Sequence, residues 1–196
     1  TGTGTVDIEK ATATVPVQNV TYTAGDSGEK SLPLSGLLPA DAGTLAYGNP
    51  SLTDTNSIIN SAPSVTDGVL KYTLSVSGAA GDTAVITVTI SSTNYADATV
   101  TVNITLTAKK VPDVTANDIT VVYTGSAVPN SEISGTATVD GSPIEGSWSF
   151  GTGQDITAVK DSGAKTVVFT PANTTDYETV EKTIMLTIQK ATPAGT

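Results

Sequence analysis

Residues 81–109 read GDTAVITVTISSTNYADATVTVNITLTAK, and residues 163–191 read GAKTVVFTPANTTDYETVEKTIMLTIQKA. The two stretches align without a gap at an offset of 82 residues, which places Tyr95 on Tyr177 and Ile104 on Leu186. Self-similarity at a fixed period indicates that one structural module is repeated along the chain. The alignment therefore predicts two related domains, over residues 11–109 and 110–190.

Apolar side chains alternate with polar ones, mostly threonine and serine, in several segments. The alternating apolar residues are Leu70, Tyr72, Leu74 and Val76, then Val100, Val102, Ile104 and Leu106, and finally Ile184, Leu186 and Ile188. An alternation of period two is typical of antiparallel strands that cover a core with one face. Two such sheets bury their apolar faces against each other. The predicted fold class is all-β, with two tandem antiparallel β-sandwich domains.

One hairpin can be predicted in register. The residues Val139-Asp140-Gly141-Ser142 contain the Asp-Gly pair that is typical of a two-residue type I′ turn. If Val139 pairs with Ser142, Ala137 lies opposite Ile144 and Ile133 lies opposite Trp148. A shift of one residue would turn Trp148 outward, so this register is favoured. The expected inner face consists of Ile133, Ala137, Val139, Ile144, Trp148 and Phe150.

The starts of the two predicted domains also resemble each other. Residues 20–23 match residues 121–124 at an offset of 101, and residues 43–48 match residues 146–151 at an offset of 103. Because the offset falls to 82 in the last strands, the first domain has about 20 additional residues. We place them around residues 49–68, as a long loop or an extra short strand, and expect any binding specificity there.

The two ends of the chain resemble each other as well. Lys10-Ala11-Thr12 recurs as Lys190-Ala191-Thr192. We therefore predict that residues 1–10 are the tail of a preceding repeat or a linker. By the same reasoning, residues 191–196 are the start of a following repeat or a linker. The chain is then a monomeric part of a longer multidomain protein.

The charged residues argue against several classes of function. The chain has 19 acidic and 9 basic residues, a net charge of −10 and no histidine or cysteine, and every basic residue is lysine. A negative chain repels phosphate backbones and anionic membranes, so nucleic acid is not an expected partner. No apolar run approaches the roughly 20 residues that span a bilayer, so membrane insertion is not expected. Serine or cysteine catalysis of the usual kind needs an imidazole base, and we predict that the protein is not an enzyme.

Oxygen ligands leave calcium as an alternative. Asp7 and Glu9 precede the first domain, and Asp113, Asn117 and Asp118 follow the predicted boundary between the domains. Such residues could hold Ca²⁺ and stiffen a joint, although no DxDxDG spacing is present. The favoured interpretation is that they are surface acids, and no metal or cofactor is predicted. The remaining acids, which include Asp67, Asp82, Asp97, Asp140 and Asp161, are expected in turns or at exposed strand positions rather than as a glycosidase pair.

Three further features have both a structural and a functional interpretation. Trp148 could stack on a sugar, but the hairpin register places it in the core, as is common for a tryptophan on a central strand of a β-sandwich. Asn103 could form an internal crosslink to lysine, but its position in the alternation points outward. Residues 151–153 (Gly-Thr-Gly) are interpreted as a turn, because no helix or lysine follows as a phosphate loop requires.

Residues 123–153 and 161–190 resemble a bacterial immunoglobulin-like repeat. The resemblance is carried by the landmarks Tyr123-Thr124-Gly125, Gly146 to Trp148, Asp161-Ser162-Gly163, Phe169-Thr170-Pro171 and Asp176-Tyr177. The first half resembles a longer relative through residues 22–25, 37–39 and 94–97. Such modules occur in tandem in large surface proteins of Gram-positive bacteria. The resemblance implies an immunoglobulin-like β-sandwich on the cell surface, and it brings no catalytic residues. One departure is Lys165, where relatives have an aromatic residue.

These observations favour a structural function. We expect a non-catalytic spacer of a secreted or cell-surface bacterial protein, which projects other domains and makes at most weak protein or glycan contacts. The alternative is an adhesin-like or carbohydrate-binding module that uses loops of a sandwich. An exposed aromatic or apolar patch near residues 49–68 or at the linker would favour the alternative.

Overall fold

The computed structural model describes residues 7–192, so parts of the two predicted flanking segments, residues 1–6 and 193–196, lie outside the described residues. The described chain divides after Ala108 into two compact units, which we call unit 1 and unit 2. It contains fifteen strands and three single turns of 3₁₀ helix. The strands are β1 (Gln18–Thr23), β2 (Gly28–Pro33), β3 (Leu45–Tyr47), β4 (Ser51–Thr53), β5 (Ser64–Thr66), β6 (Val69–Leu74), β7 (Thr83–Ser92), β8 (Ala98–Thr107), β9 (Asp113–Ala116), β10 (Ile119–Val122), β11 (Gly135–Val139), β12 (Ser142–Pro143), β13 (Gly146–Phe150), β14 (Gly163–Pro171) and β15 (Val180–Gln189).

Unit 1 consists of a larger and a smaller sheet around one core. The larger sheet has the strand order β1-β8-β7-β3, with β4 also paired to β7, and the smaller sheet has the order β2-β6-β5. The predicted alternation is confirmed in β8, where Val100, Val102 and Ile104 are fully buried. It is also confirmed for Leu70, Tyr72 and Leu74 of β6. The prediction was wrong for Val76, which is 69% exposed because β6 ends at Leu74.

Unit 2 also has two sheets. The larger one has the order β10-β15-β14-β13, and the smaller one has the order β12-β11-β9. Ile184, Leu186 and Ile188 of β15 are buried as predicted. Val114 and Ala137 of the smaller sheet pack with Phe169 of the larger sheet, so the two sheets share a core. The predicted all-β class and sandwich architecture are confirmed.

The sheets are not purely antiparallel, which the sequence analysis did not anticipate. In each larger sheet, the strand that comes first along the chain pairs in parallel with the strand that comes last along the chain. In unit 1, β1 pairs with β8 over six residues, from Gln18 opposite Val102 to Thr23 opposite Thr107. In unit 2, β10 pairs with β15 over four residues. Period-two alternation does not depend on strand direction, so the pattern could not reveal the parallel pairs.

The predicted hairpin is correct at its turn and wrong farther from it. Val139 pairs with Ser142, and Asp140 and Gly141 have φ angles of 51° and 78°, as a type I′ turn requires. The Ile144 amide donates to the Ala137 carbonyl as expected. Beyond Ile144 the chain leaves this sheet, and Trp148 pairs with Phe169 of β14 rather than with Ile133. Five of the six residues predicted for the inner face pack in the core, whereas Val139 is half-buried outside the core clusters; the five are Ile133, Ala137, Ile144, Trp148 and Phe150.

The gap-free alignment of the two repeats is wrong in β7 and β14. Ile90 pairs with Ala98 in unit 1, whereas Phe169 pairs with Val180 in unit 2. The connection between these strands is therefore three residues longer in unit 2. The true offset of β14 is 79 residues (Ile90 to Phe169), while β15 keeps the offset of 82 (Ala98 to Val180). Lys165 then corresponds to the fully buried Ile86 and lies half-buried at the inward position opposite Ile184.

The domain starts are also shifted from their predicted alignment. Val20 pairs with Ile104 and Ile119 pairs with Leu186, so the true counterpart of Val20 is Ile119, not Val121. Similarly, Tyr47 lies opposite Ile90 as Trp148 lies opposite Phe169, so these two aromatic residues correspond. Both shifts are of two residues. Because such a shift preserves the alternation of a strand, burial pattern alone cannot detect it.

The additional segment of unit 1, residues 49–68, is part of the core. It forms the strands β4 and β5, and the loop between them includes Ile58, which is fully buried. The Asp54 carboxylate accepts hydrogen bonds from the amides of Ile58 and Ile59 at 3.1 and 2.7 Å. The smaller sheet of unit 1 takes β5 and β6 from between β4 and β7, whereas unit 2 has no strand between β13 and β14. The additional residues thus contribute one short strand to each sheet of unit 1, which agrees with the predicted extra strand rather than with a free loop.

We predict that Ile58→Ala destabilises unit 1 by about 2–5 kcal/mol, because it opens a cavity in a packed core. The exposed residue Ser61 in the same loop provides the control, and Ser61→Ala should change stability by less than about 0.5 kcal/mol. Chemical denaturation followed by circular dichroism measures both. Equal stabilities of the two variants would contradict the assignment of this loop to the core.

Candidate functional site

The residues proposed for calcium do not converge. Asp118 accepts a hydrogen bond from the Met185 amide at 2.7 Å, and the Asn117 side-chain amide donates to the Ser134 hydroxyl at 3.0 Å. Asp113 lies in β9, where it is paired with Thr138. Within residues 7–192 no group of three or more acidic, histidine or cysteine side chains could hold a metal ion. The structure therefore uses Asn117 and Asp118 to tie β10 to neighbouring segments.

Several of the other acids fix turns. The Asp161 carboxylate accepts hydrogen bonds from the amides of Thr157 and Ala158 at 3.0 and 2.7 Å, and its other oxygen contacts the Lys160 ammonium. The hydrogen bond that Asp161 accepts from the Ala158 amide is the main cause of its lowered pKa, and the hydrogen bond from the Lys160 ammonium is the second cause. The Asp140 carboxylate contacts the Lys110 ammonium at 2.6 Å and raises the pKa of that lysine. These carboxylates satisfy backbone or lysine donors.

Trp148 lies between the core and the surface. It is half-buried, and its ring packs against Phe169 with centroids 5.2 Å apart and planes tilted by 57°. A groove of about 380 Å³ runs beside it, between the β11–β12 hairpin and β13, and includes Thr136, Ile144 and Glu145. The ring closely approaches Gly135, where an added Cβ would lie 2.7 Å from the Trp148 Cζ2 atom.

The counterpart of Trp148 in unit 1 is covered by the chain itself. The Tyr47 hydroxyl lies against the turn between β5 and β6, where a Cβ added to Gly68 would come within 2.9 Å of it. That turn belongs to the additional residues of unit 1, which unit 2 lacks. The missing turn explains why an open groove remains beside Trp148.

Exposed apolar side chains do not mark the additional segment. Among the described residues, the large exposed apolar side chains are Ile8, Val17, Val76, Val111, Val122, Tyr123 and Met185. None of them lies in residues 49–68. Val111 lies near the predicted linker, and Val122 and Tyr123 line a second groove, of about 630 Å³, beside β10. Both of these grooves lie in unit 2.

A polar cluster connects the two sheets of unit 1. The hydroxyls of Tyr22 in β1 and Tyr72 in β6 are 2.8 Å apart, and the rings meet edge to face. The Lys30 ammonium lies 5.1 Å from the centre of the Tyr22 ring and contacts the Asp26 carboxylate at 2.8 Å. Burial of the Tyr72 side chain is the main cause of its raised pKa, and the hydrogen bond with Tyr22 is the second cause.

The sequence analysis missed the contact by which the chain enters each unit, which we call the entry bridge. In unit 1 it is the parallel pairing of Ala11 with Tyr95, and in unit 2 it is the parallel pairing of Lys110 with Tyr177. The Ala11 amide donates to the Asn94 carbonyl at 3.0 Å, and the Ala96 amide donates to the Ala11 carbonyl at 2.7 Å. The matching positions of Tyr95 and Tyr177 in the two repeats were the available signal.

A lysine precedes each entry bridge and binds the adjacent loop. The Lys10 ammonium donates to the Ser92 carbonyl at 2.7 Å, and the Lys109 ammonium donates to the Thr174 carbonyl at 2.6 Å. In unit 2 the bridge itself has bonds of 2.8 Å from the Lys110 amide to the Asp176 carbonyl and 2.9 Å from the Glu178 amide to the Lys110 carbonyl. Each unit thus binds its entering segment in the same way.

The register from the entry bridge to the first strand is constant. Ala11 to Tyr95 and β1 to β8 share an offset of 84 residues. Lys110 to Tyr177 and β10 to β15 share an offset of 67 residues. Asn103, the candidate for a crosslink, lies opposite Asn19 in this pairing, and its side-chain amide donates to the side-chain oxygen Oδ1 of Asn19 at 3.0 Å. The entering segment is therefore aligned with the last strand at two places.

No protein-family model matches the chain, and no curated protein matches it. The chain is similar to the solved structure of Sidekick-1 immunoglobulin domains 1–5, with 14% identity, a TM-score of 0.41, and coverage of 91% of this chain and 39% of that one. It is similar to the titin I-band fragment I67–I69, with 12% identity, a TM-score of 0.32, and coverage of 89% of this chain and 63% of that one. The chain is also similar to the structure of murine CEACAM1b, with 15% identity, a TM-score of 0.27, and coverage of 87% of this chain and 95% of that one. The chain thus spans less than two thirds of the Sidekick-1 and titin structures, and the fold assignment rests on the strand pairing described above.

No helix among residues 7–192 has the length and apolar character needed to cross a membrane.

We predict that Gly135→Ala destabilises unit 2 by about 1–3 kcal/mol, because the added methyl group overlaps the Thr115 carbonyl and the Trp148 ring. Trp148 is the only tryptophan, so its fluorescence during denaturation reports on unit 2. The exposed neighbour Ser147 provides the control, and Ser147→Ala should leave the transition in place. An unchanged transition in Gly135→Ala would show that Trp148 does not pack as described.

The raised pKa of Tyr72 predicts a loss of stability at alkaline pH. Because the folded state favours the neutral phenol, the stability that Tyr72 contributes is fully present below the ordinary tyrosine pKa of 10.0 and is lost as the pH rises above it. Thermal unfolding of unit 1 between about pH 8 and pH 11 should show this loss, and Tyr72→Phe should remove most of it. Tyr123→Phe, which changes an exposed ring, is the control. A Tyr72→Phe chain with the same alkaline loss as the unmodified chain would contradict the prediction.

Proposed function

We propose that this chain is a non-catalytic, load-bearing spacer of a secreted or cell-surface bacterial protein, which holds other domains away from the surface. The observation that carries the proposal is that, in the larger sheet of each unit, the strand that comes first in the chain pairs in parallel with the strand that comes last. The resemblance of both halves to tandem bacterial surface repeats supports the same function. No bound partner is needed for this function.

The direction of the paired strands determines how tension acts on them. In unit 1 the chain enters before β1 and leaves after β8, and these strands lie side by side and parallel. A force that pulls the two ends apart therefore slides β1 along β8. The hydrogen bonds between them lie across the strands, so the force loads all six residue pairs together in shear. Antiparallel end strands would instead open one bond at a time.

The entry bridge adds a second attachment in the same register. The segment from Ala11 to Thr23 is bound to residues 95–107 near both of its ends. The Ala24 amide also donates to the Thr107 carbonyl at 2.7 Å. Unit 2 repeats this arrangement, with Lys110 at the bridge and four pairs between β10 and β15. We expect unit 1 to resist the larger force, because its first strand has more paired residues.

Ligand binding at the groove beside Trp148 is the second candidate function. The groove combines an aromatic ring with the polar residues Thr136 and Glu145, a composition that suits a sugar or a peptide. Titration of the chain with oligosaccharides, followed by Trp148 fluorescence, tests it. Saturable quenching that Glu145→Gln weakens would support this candidate, while a linear response would exclude it at the concentrations used.

The load-bearing proposal predicts that Val20→Pro lowers the unfolding force of unit 1. The Ala24 amide donates to the Thr107 carbonyl of β8, and the amides of alternate residues in a strand point to the same side. The Val20 amide therefore points toward β8, and proline removes that donor. Val65→Pro is the matched control, since Val65 is a half-buried valine in β5, which does not connect the ends of the unit. Single-molecule stretching from the chain ends measures the force, and thermal unfolding measures the stability of each variant. If Val65→Pro lowers the force as much as Val20→Pro does, β1 and β8 do not carry the load.

A further inference from the structure

Residues 190–192 have the composition of a segment that enters a unit. Ile8, Lys10, Ala11 and Thr12 recur in the same spacing as Ile188, Lys190, Ala191 and Thr192. The first of these segments leads into the entry bridge of unit 1, where Ala11 pairs with Tyr95. The second follows directly after β15 and is exposed. The same short sequence is thus paired with a loop at one end of the described chain and follows the last strand at the other, and it is exposed in both places.

The bonds of the first segment define what it recognises. Lys10 supplies an ammonium to the Ser92 carbonyl, and Ala11 supplies an amide to the Asn94 carbonyl and a carbonyl to the Ala96 amide. The receiving loop therefore presents two carbonyls and one amide. Unit 2 receives Lys109 and Lys110 with the same kinds of bonds. The residue after the lysine is Ala11 in one instance and Lys110 in the other, so the two contacts share the lysine ammonium and backbone groups rather than a particular second side chain.

We propose that Lys190, Ala191 and Thr192 are a docking segment for a further β-sandwich of the same kind, in which Lys190 and Ala191 take the places of Lys10 and Ala11. The partner is a module whose loop before its last strand offers the two carbonyls and the amide. The inference rests on the proposed spacer function, and it describes the joint by which such modules are connected. The last strand of one module then leads directly into the entry bridge of the next.

The test extends the chain with a module that lacks its own entering segment. A second copy of residues 13–108 is joined directly after Thr192, so that residues 190–192 are the only available counterpart of residues 10–12. Differential scanning calorimetry should show the added copy melting together with unit 1, with a correspondingly larger enthalpy for that transition. Ala191→Pro removes the amide that replaces the Ala11 donor and should lower the melting temperature of the added copy by about 4–8 °C. Ala191→Ser keeps the amide and should leave it unchanged.

Ala11→Pro in the same extended chain calibrates the experiment, because it removes the corresponding amide of unit 1. A shift of unit 1 with Ala11→Pro, but none of the added copy with Ala191→Pro, would overturn the proposal. An added copy that melts well below unit 1, whatever residue occupies position 191, would also overturn it. Either failure would leave the load-bearing proposal standing, because that proposal depends on the unfolding force of unit 1 and on β1 and β8.

Discussion

The parallel contact between the first and last strands of each larger sheet is the constraint on which both units depend. It places β8 between β1 and β7, and β15 between β10 and β14. A strand with partners on both edges has its backbone groups satisfied and can bury a full apolar face. Val100, Val102 and Ile104 are fully buried for this reason, and Leu186 occupies the corresponding place in unit 2. The pairing on which the load-bearing proposal rests is also the pairing that organises each core.

The smaller sheets show how much can change while that contact is kept. Unit 1 builds its smaller sheet from β2, β5 and β6, whereas unit 2 uses β9, β11 and β12. Different parts of the chain therefore cover the same side of each larger sheet. The turn at Gly68 covers Tyr47 in unit 1, and the absence of a counterpart leaves the groove beside Trp148 in unit 2. A difference in the covering sheet, rather than a difference in a loop, thus accompanies the groove that Trp148 and Phe169 line.

The sequence was informative where a pattern has a single solution. The Asp140-Gly141 pair determined the turn and its register, and the alternation in β8 and β15 determined their buried faces. It was less informative where several registers satisfy the same pattern. The shift of two residues at Val20 preserves the burial alternation, and the longer connection before β15 was concealed by similar threonine-rich residues. The entry bridge could not be predicted from alternation at all, because it consists of backbone bonds made by single residues outside the strands.

The bridges also change where one module ends and the next begins. Sequence similarity places the boundary between Lys109 and Lys110, but the Lys109 side chain already binds the Thr174 carbonyl of unit 2. The last strand of unit 1 ends at Thr107, so only Ala108 lies between that strand and the lysine that binds unit 2. A connection this short leaves little chain to extend before the paired strands are loaded. If the chain bears load as proposed, tension is transmitted to the parallel strand pairs rather than absorbed by the linker.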